Sequence, residues 1–302
     1  MLHIQVSVTP SEAKRLIALS VPLLTEVQKA LKTGRVVIKG GSTGSAIAEY
    51  MASVKLRIAG RITQLGTKAP HNPVGDHTIM LEGGKIKRLD TDAELIKAAA
   101  RMTRGDVFIT GANALDCNRK AAVMLGVPLS PLSRFIPSMI AKGITTIIAV
   151  GWEKLIPGSI DDASNDASIE STDVAMGMAV GLLPLQGNVI TETDAITLIS
   201  GAGATVIGAG GVMGGEGSTT MIIRGNKEEV KTAWDTVRAI KGSAVSGLQE
   251  TLPECIPPKS PLCKACIENG SVRVLAHKAC IYRQPALDKK IFDSTTVPTL
   301  LE

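Results

Sequence analysis

The stretch from Arg35 to Met51 constrains this chain more than any other. Val36, Val37 and Ile38 form a β-branched run of the kind found in a buried strand. Gly40 and Gly41 then allow a sharp turn. Ser42, Thr43, Gly44 and Ser45 place hydroxyls and free N–H groups at the start of a helix, which Ala46, Ile47, Ala48 and Met51 continue at helical spacing. A Gly/Ser/Thr turn between a strand and a helix N-terminus suits an anion, because the unpaired amides and the helix dipole both favour negative charge. The alternative is a tight turn with no ligand. The stretch is neither a Walker A loop, since it lacks the closing Gly-Lys-Ser/Thr, nor a clean GxGxxG fingerprint.

The chain has 302 residues, enough for one large or two medium domains. Aromatic residues make up only 2% of it, within a hydrophobic fraction of 44%. The core must therefore be aliphatic, which suits parallel strands covered by helices. So few aromatics disfavour a stacking surface for single-stranded nucleic acid. The net charge of +5 is spread without a basic run, a mild bias toward small anions. No sufficiently long uncharged apolar stretch predicts a membrane span, and Met1–Val6 lacks signal-peptide features. A cytoplasmic protein without nucleic-acid or membrane partners is expected.

Along the chain, Leu2–Val8 reads as a strand. Thr9-Pro10-Ser11-Glu12 reads as a capping box opening a helix through Leu19. A second helix is expected over Leu23–Leu31, and a strand over Val54–Ile62, either continuous or broken at Gly60. His71, Asn72 and His77 fall in a Pro/Gly-rich loop that is either solvated or ligand-binding. Thr91 or Asp92 caps a helix to Met102, and Asp106–Thr110 is an apolar strand. Ser133–Ala141 is a helix and Ile144–Val150 the most apolar strand. The acidic segment from Gly158 to Asp173 is a loop or helix start. Beyond about Ile190, Ala195–Ile199, Ala204–Ile207 and Thr219–Arg224 read as short strands, and Lys227–Lys241 as an amphipathic helix. The glycine-rich segment Gly208–Gly217 is either a ligand-approaching loop or a hairpin connection.

Three apolar strands thus end in polar clusters: Gly40–Ser45, Gly111–Asp116 and Gly151–Lys154. If the strands are parallel neighbours, the clusters converge on one sheet edge, where open α/β sheets bind ligands. The expected organisation is an α/β ligand-binding core over residues 1–188, a small α+β subdomain over 189–245, and a Cys-containing tail over 246–302. Cys255, Cys263, Cys266 and Cys280 lie in that tail. Cys263 and Cys266 form a C-x-x-C pair that points to a structural zinc or an iron–sulfur cluster, inert thiols or disulfides being the alternative.

The sequence Gly40-Gly41-Ser42-Thr43-Gly44-Ser45, placed between strand and helix, resembles the phosphate turn of the ribose-5-phosphate isomerase/CoA-transferase superfamily. That superfamily includes sugar-phosphate isomerases, deaminases and sugar-sensing domains. Asp106–Asp116 is similar to its Asp-Gly-Ala-Asp-Glu-x-Asp motif, and Val150-Gly151 to its third site-forming strand. The resemblance covers about residues 20–155. It implies a mainly parallel sheet flanked by helices, with phosphate held by Gly40 through Ser45 and ligand contacts from Gly111, Asn113 and Lys154. This chain departs from the motif. Thr110 and Asn113 replace the two Asp residues, and Ala114 replaces the Glu. Asp116 and Glu153 remain as candidate bases, with Lys120 and Lys154 as cations for an enediolate or phosphate. The expected activity is binding of a phosphorylated small molecule, with isomerase-type proton transfer. The alternatives are a non-catalytic sensor, or a CoA-ester transferase or hydrolase with Glu153 as nucleophile. The expected partners are a small anionic ligand and further copies of the chain.

Overall fold

The computed structural model describes residues 1–58, 60–68, 75–128, 130–248, 278–282, 284 and 287. Strand β1 (Leu2–Val8) leads into α1 (Pro10–Ser20), which the Thr9/Glu12 capping box starts: Thr9 N–H donates to Glu12 Oε2 at 2.9 Å. A 3-10 turn at Pro22 separates α1 from α2 (Thr25–Thr33), and β2 (Arg35–Lys39) and α3 (Ser42–Ala52) follow. After α3, two short hairpins form: β3 (Arg61–Thr63) with β4 (Gly66–Lys68), and β5 (Thr78–Glu82) with β6 (Lys85–Arg88). Thr91 caps α4 (Asp92–Arg101) as expected. Next come β7 (Val107–Gly111), β8 (Ala114–Leu115), β9 (Ala121–Leu125), α5 (Pro131–Ala141) and β10 (Thr145–Ala149). The chain continues through α6 (Ile160–Asp166), β11 (Gly181–Leu185), β12 (Asn188–Ile190) and α7 (Glu192–Ser200). It then forms β13 (Gly203–Gly210), β14 (Ser218–Gly225) and α8 (Lys227–Ile240).

The molecule is α/β. Its main sheet has the strand order β12-β10-β7-β2-β5-β6. Strands β12, β10, β7 and β2 are parallel, while β5 and β6 run antiparallel at one edge. Period-2 alternation divides the central strands between two cores. Val36, Ile38, Val107, Ile109, Ile147 and Ala149 face the core containing α1, α3, α7 and α8. Val37, Phe108, Ile148 and Val150 face the core containing α4 and α5. Burial on both faces explains why these strands read as continuous β-branched runs. On the second face, Phe108 and Phe135 meet at 4.5 Å between ring centroids, and a small sheet, β11-β9-β8, completes the cover.

Two expectations are corrected. Ala195–Ile199 is the middle of helix α7, not a strand. Asp194 reaches back to Thr191 N–H at 2.8 Å, and Gly201, at φ 77°, closes the helix through the Thr197 carbonyl. Val54–Ile62 is not a continuous strand. Arg57 N–H instead bonds the Asp76 carbonyl, Leu56 O accepts from Leu248 N–H, and only Arg61–Thr63 pairs as a strand. The 189–245 segment shares its strands with the rest of the chain. Its sheet, β1-β14-β13, takes one edge from Leu2–Val8, and Val189 and Ile190 pair with β10 in the main sheet. One aliphatic core runs from Ile38 and Ile147 through Leu16 and Ala195 to Met221 and Val237, across the proposed boundary. Among the described residues, no helix is long and apolar enough to cross a membrane.

Candidate functional site

The helix after β2 packs on one face of the sheet, and α5, which follows β7, packs on the other. Adjacent parallel strands whose continuations leave to opposite faces open a crevice at their carboxyl ends, the usual ligand position in an open α/β sheet. Here that crevice lies between Gly40–Thr43 and Gly111.

The glycines of the turn have distinct physical reasons. A Cβ at Gly40 would stand 2.5 Å from the His77 carbonyl and 2.7 Å from that of Arg57. A Cβ at Gly44 would stand 1.9 Å from the Lys39 carbonyl, so both positions need a bare backbone. Gly41, the residue preceding α3, has φ 129°, and a Cβ there would meet nothing within 4 Å. No side chain caps α3. Its first amides therefore face the open side of the turn with the positive end of the helix dipole behind them.

Cationic groups border the turn. Lys39 closes β2 and is half-buried, and its ammonium makes no hydrogen bond or ion pair among the described residues. Desolvation pushes its ammonium down to about 8. His77 lies next to it: Gly40 N–H donates to His77 O at 2.6 Å. The imidazole Nδ1 is 3.2 Å from Thr78 Oγ1, while Nε2 is buried without a partner. Desolvation first, then the charges of Lys39 and Arg57, hold His77 well below its ordinary value. A neutral imidazole and a readily discharged lysine, with no acid paired to Lys39, describe surroundings that lack negative charge.

The sequence-predicted residues divide. Gly40, Gly41, Ser42, Thr43, Gly44 and Gly111 do come together, and a Cβ at Gly111 would lie 3.9 Å from Thr43 Cβ. Ser45 turns away: its buried Oγ accepts from Leu56 N–H at 2.9 Å and lies 2.9 Å from Ser246 Oγ. Asn113 holds the neighbouring hairpin, its Oδ1 accepting from Met124 N–H at 3.0 Å. Asp116 is fully buried, and its carboxylate accepts the N–H groups of Asn118, Lys120 and Ile160. Burial favours the neutral form, but those three donors win and hold the carboxyl below its ordinary value. Lys120 is exposed and paired with Asp161, which raises its pKa. This arrangement makes Asp116 and Lys120 the fasteners of a turn and of the start of α6, leaving neither poised as an acid–base group.

Glu153 occupies different surroundings. It sits in a 3-10 turn (Trp152–Lys154) after β10, and its side chain is 8% exposed. Both carboxylate oxygens are buried without a hydrogen-bond partner, and its one ionic neighbour is Lys14 of α1, at 3.5 Å. Desolvation lowers the Lys14 pKa, the Glu153 charge opposes that shift, and Lys154 adds to it. Glu192, the first residue of α7, faces the same space. An ideal Cβ at Gly151 would lie 1.9 Å from Glu153 Oε2 and 3.4 Å from Glu192 Oε2. Glu192 accepts Trp152 N–H at 3.0 Å and Thr219 Oγ1–H at 3.0 Å. Burial, assisted by the nearby Glu153 charge, outweighs those donors and raises Glu192 to about 7. The sequence reading missed Glu192, Lys14 and Lys39. For Glu192 a signal existed: Asn188-Val189-Ile190 is a fourth short strand ending in a polar cluster, Thr191-Glu192-Thr193-Asp194.

Among the described residues, no group of three or more His, Cys, Asp or Glu side chains is placed to hold a metal ion. Cys255, Cys263 and Cys266, with His71 and Asn72, lie outside the described residues. Cys280 is a buried free thiol and Cys117 an exposed one. Comparison with protein-family models, with curated proteins and with solved structures finds no match.

Proposed function

We propose that this protein binds a phosphorylated small molecule, a sugar phosphate or an anion like it, in the crevice between β2 and β7. The phosphate would lie at the first turn of α3. One observation carries this reading: an uncapped helix N-terminus at a topological switch point, bordered by the unpaired Lys39 and by His77. A plain tight turn would leave the placement of the Lys39 ammonium beside it unexplained. The fold class and the turn are compatible with the ribose-5-phosphate isomerase/CoA-transferase superfamily, and membership in it is part of the proposal. A sensor without chemistry is the second reading. It is favoured by Asp116, whose oxygens are occupied by backbone donors.

The test is a thermal-shift and calorimetric titration with inorganic phosphate and with sugar phosphates, on the wild-type protein and on Lys39→Met. Ligands that bind the native state raise its melting temperature by mass action. Lys39→Met keeps the aliphatic stem and removes the charge, and it is expected to weaken binding by about tenfold, roughly 1.4 kcal/mol. Binding of equal strength in the variant, or none in the wild type, refutes the reading.

A further inference from the structure

We propose that Glu153 and Glu192, balanced by Lys14, form a proton-sharing acid–base pair that acts on the ligand whose anion is held at the Gly41 turn. This inference rests on the phosphate-binding reading above.

The first ground is Glu153 itself. A carboxylate with both oxygens buried and no hydrogen-bond donor is rare in a folded protein and calls for a reason. Lys14 Nζ stands 3.5 Å from Oε1, a long contact for a hydrogen bond, and Oε2 has no donor. The second ground is position. Glu153 follows β10 and Glu192 follows β12, so the pair lies on the same sheet edge as the anion turn at the end of β2. Strands in a sheet are about 4.8 Å apart. With β7 between them, the ends of β10 and β2 are therefore about 10 Å apart. A monophosphate ester of five or six carbons, met by the Glu153 side chain, spans that distance. The third ground is the asymmetry between the two carboxyls. Glu192 is held by Trp152 N–H and Thr219 and retains a proton near neutrality, while Glu153 is held only by the Lys14 charge. Glu192, buried and hydrogen-bonded, is accordingly assigned the acid, and Glu153, beside the Lys14 ammonium, the base. The other charges around the pair are Lys154 and the Asp194–Arg119 ion pair on the first turn of α7.

The balance is simple. Glu153 takes a proton from a C–H or O–H of the ligand, and Glu192 gives its proton to a ligand oxygen. The pair holds one proton before and after, so no cofactor is consumed. Access requires a movement, because the pair is shut in this structure. Gly217, at the end of the glycine-rich β13–β14 connection, packs beside Pro10 and the Glu153 Cβ. That connection has positive φ at Gly210, Gly211, Met213, Gly214 and Gly217, and Met213 at its tip is 97% exposed.

The experiment incubates the wild-type protein in D2O with aldose and ketose phosphates of four to six carbons and follows loss of C–H signals by proton NMR. The thermal shift by each ester is measured in parallel. We expect at least one bound ester to exchange, with Glu153→Gln and Glu192→Gln slowed by about 100-fold or more while its thermal shift stays the same. The exchange rate should vary with pH around neutrality, and Glu192→Gln should remove that dependence. If esters bind but none exchanges, or Glu153→Gln exchanges like the wild type, the acid–base assignment is overturned and phosphate binding stands. If no ester binds, the phosphate reading fails and this inference falls with it. Circular dichroism of both variants establishes that they are folded.

Discussion

Replacing Glu192 by Gln should change how stability depends on pH. The fully buried carboxyl titrates at about 7 in the native state against 4.5 when unfolded. Its folded value is raised, so the native state binds the proton more tightly than the unfolded chain. The stability it contributes is complete below about 4.5 and is lost as pH rises to 7. Each pH unit in that window is worth about 1.4 kcal/mol, so the full loss is about 3 kcal/mol. His77 works the other way. Its folded value is depressed below 6.5, so its contribution is lost as the pH falls through that range. The informative quantity is therefore the difference between wild type and Glu192→Gln, in which His77 cancels. Glutamine preserves the shape, keeps an oxygen for Trp152 N–H and Thr219, and cannot ionise. Urea unfolding at pH 5 and pH 8, followed by fluorescence of Trp152 and Trp234, measures the difference. The variant should gain about 2.5 kcal/mol on the wild type between the two pH values. A constant difference across the range would mean that Glu192 is an ordinary carboxyl, and the burial argument would be wrong.

Two further outcomes separate residues that hold the fold from those that face the ligand. Asp116→Asn removes the charge that satisfies three backbone N–H groups. It should cost about 2 kcal/mol in urea unfolding and leave phosphate binding unchanged; a loss of binding without a loss of stability would return Asp116 to the site. Ser45→Ala orphans Leu56 N–H inside the core. It should destabilise by about 1–3 kcal/mol, with phosphate affinity unaltered by calorimetry; a weakened affinity would place Ser45 at the ligand.

The central strands were legible because burial on both faces forces a continuous apolar run. Val36–Ile38, Val107–Ile109 and Thr145–Ala149 could be read directly. Helices with side-chain caps were legible too, as Thr9/Glu12 and Thr91/Glu94 show. The segment Ala195–Ile199 misled because a short, mostly apolar run looks alike in a buried strand and a buried helix; the capping pair Thr191/Asp194 was the evidence to weigh. Strand β9, Ala-Ala-Val-Met-Leu, carries helix-favouring residues and is a strand because β8 and β11 pair with it. In the site, backbone features were visible and side-chain directions were not. Gly40–Gly44 could be placed from the turn chemistry alone. The inward rotation of Ser45, the occupation of Asp116 by backbone donors and the approach of Lys14 to Glu153 depend on tertiary packing, for which a single sequence holds no local signal.

The end of β7 explains why the carboxyl pair matters. The superfamily resemblance places acids at this point, but the strand here ends in Thr110 and Gly111. Thr110 is buried, with its hydroxyl directed to the Gly111 carbonyl at 3.2 Å. A hydroxyl so placed cannot accept a proton at neutral pH, so the Gly40–Gly44 turn has no base beside it on β7. The buried acids of this sheet edge lie one and two strands further away, after β10 and β12. If chemistry occurs, it is displaced from the phosphate by about 10 Å or more at the usual strand spacing. That distance is a selection rule. A three-carbon phosphate anchored at Gly41 would be too short to reach Glu153, whereas an ester of five or six carbons would extend to it. Exchange that is as fast with three-carbon phosphates as with longer ones would separate the two halves of the site and show that the carboxyl pair serves the fold.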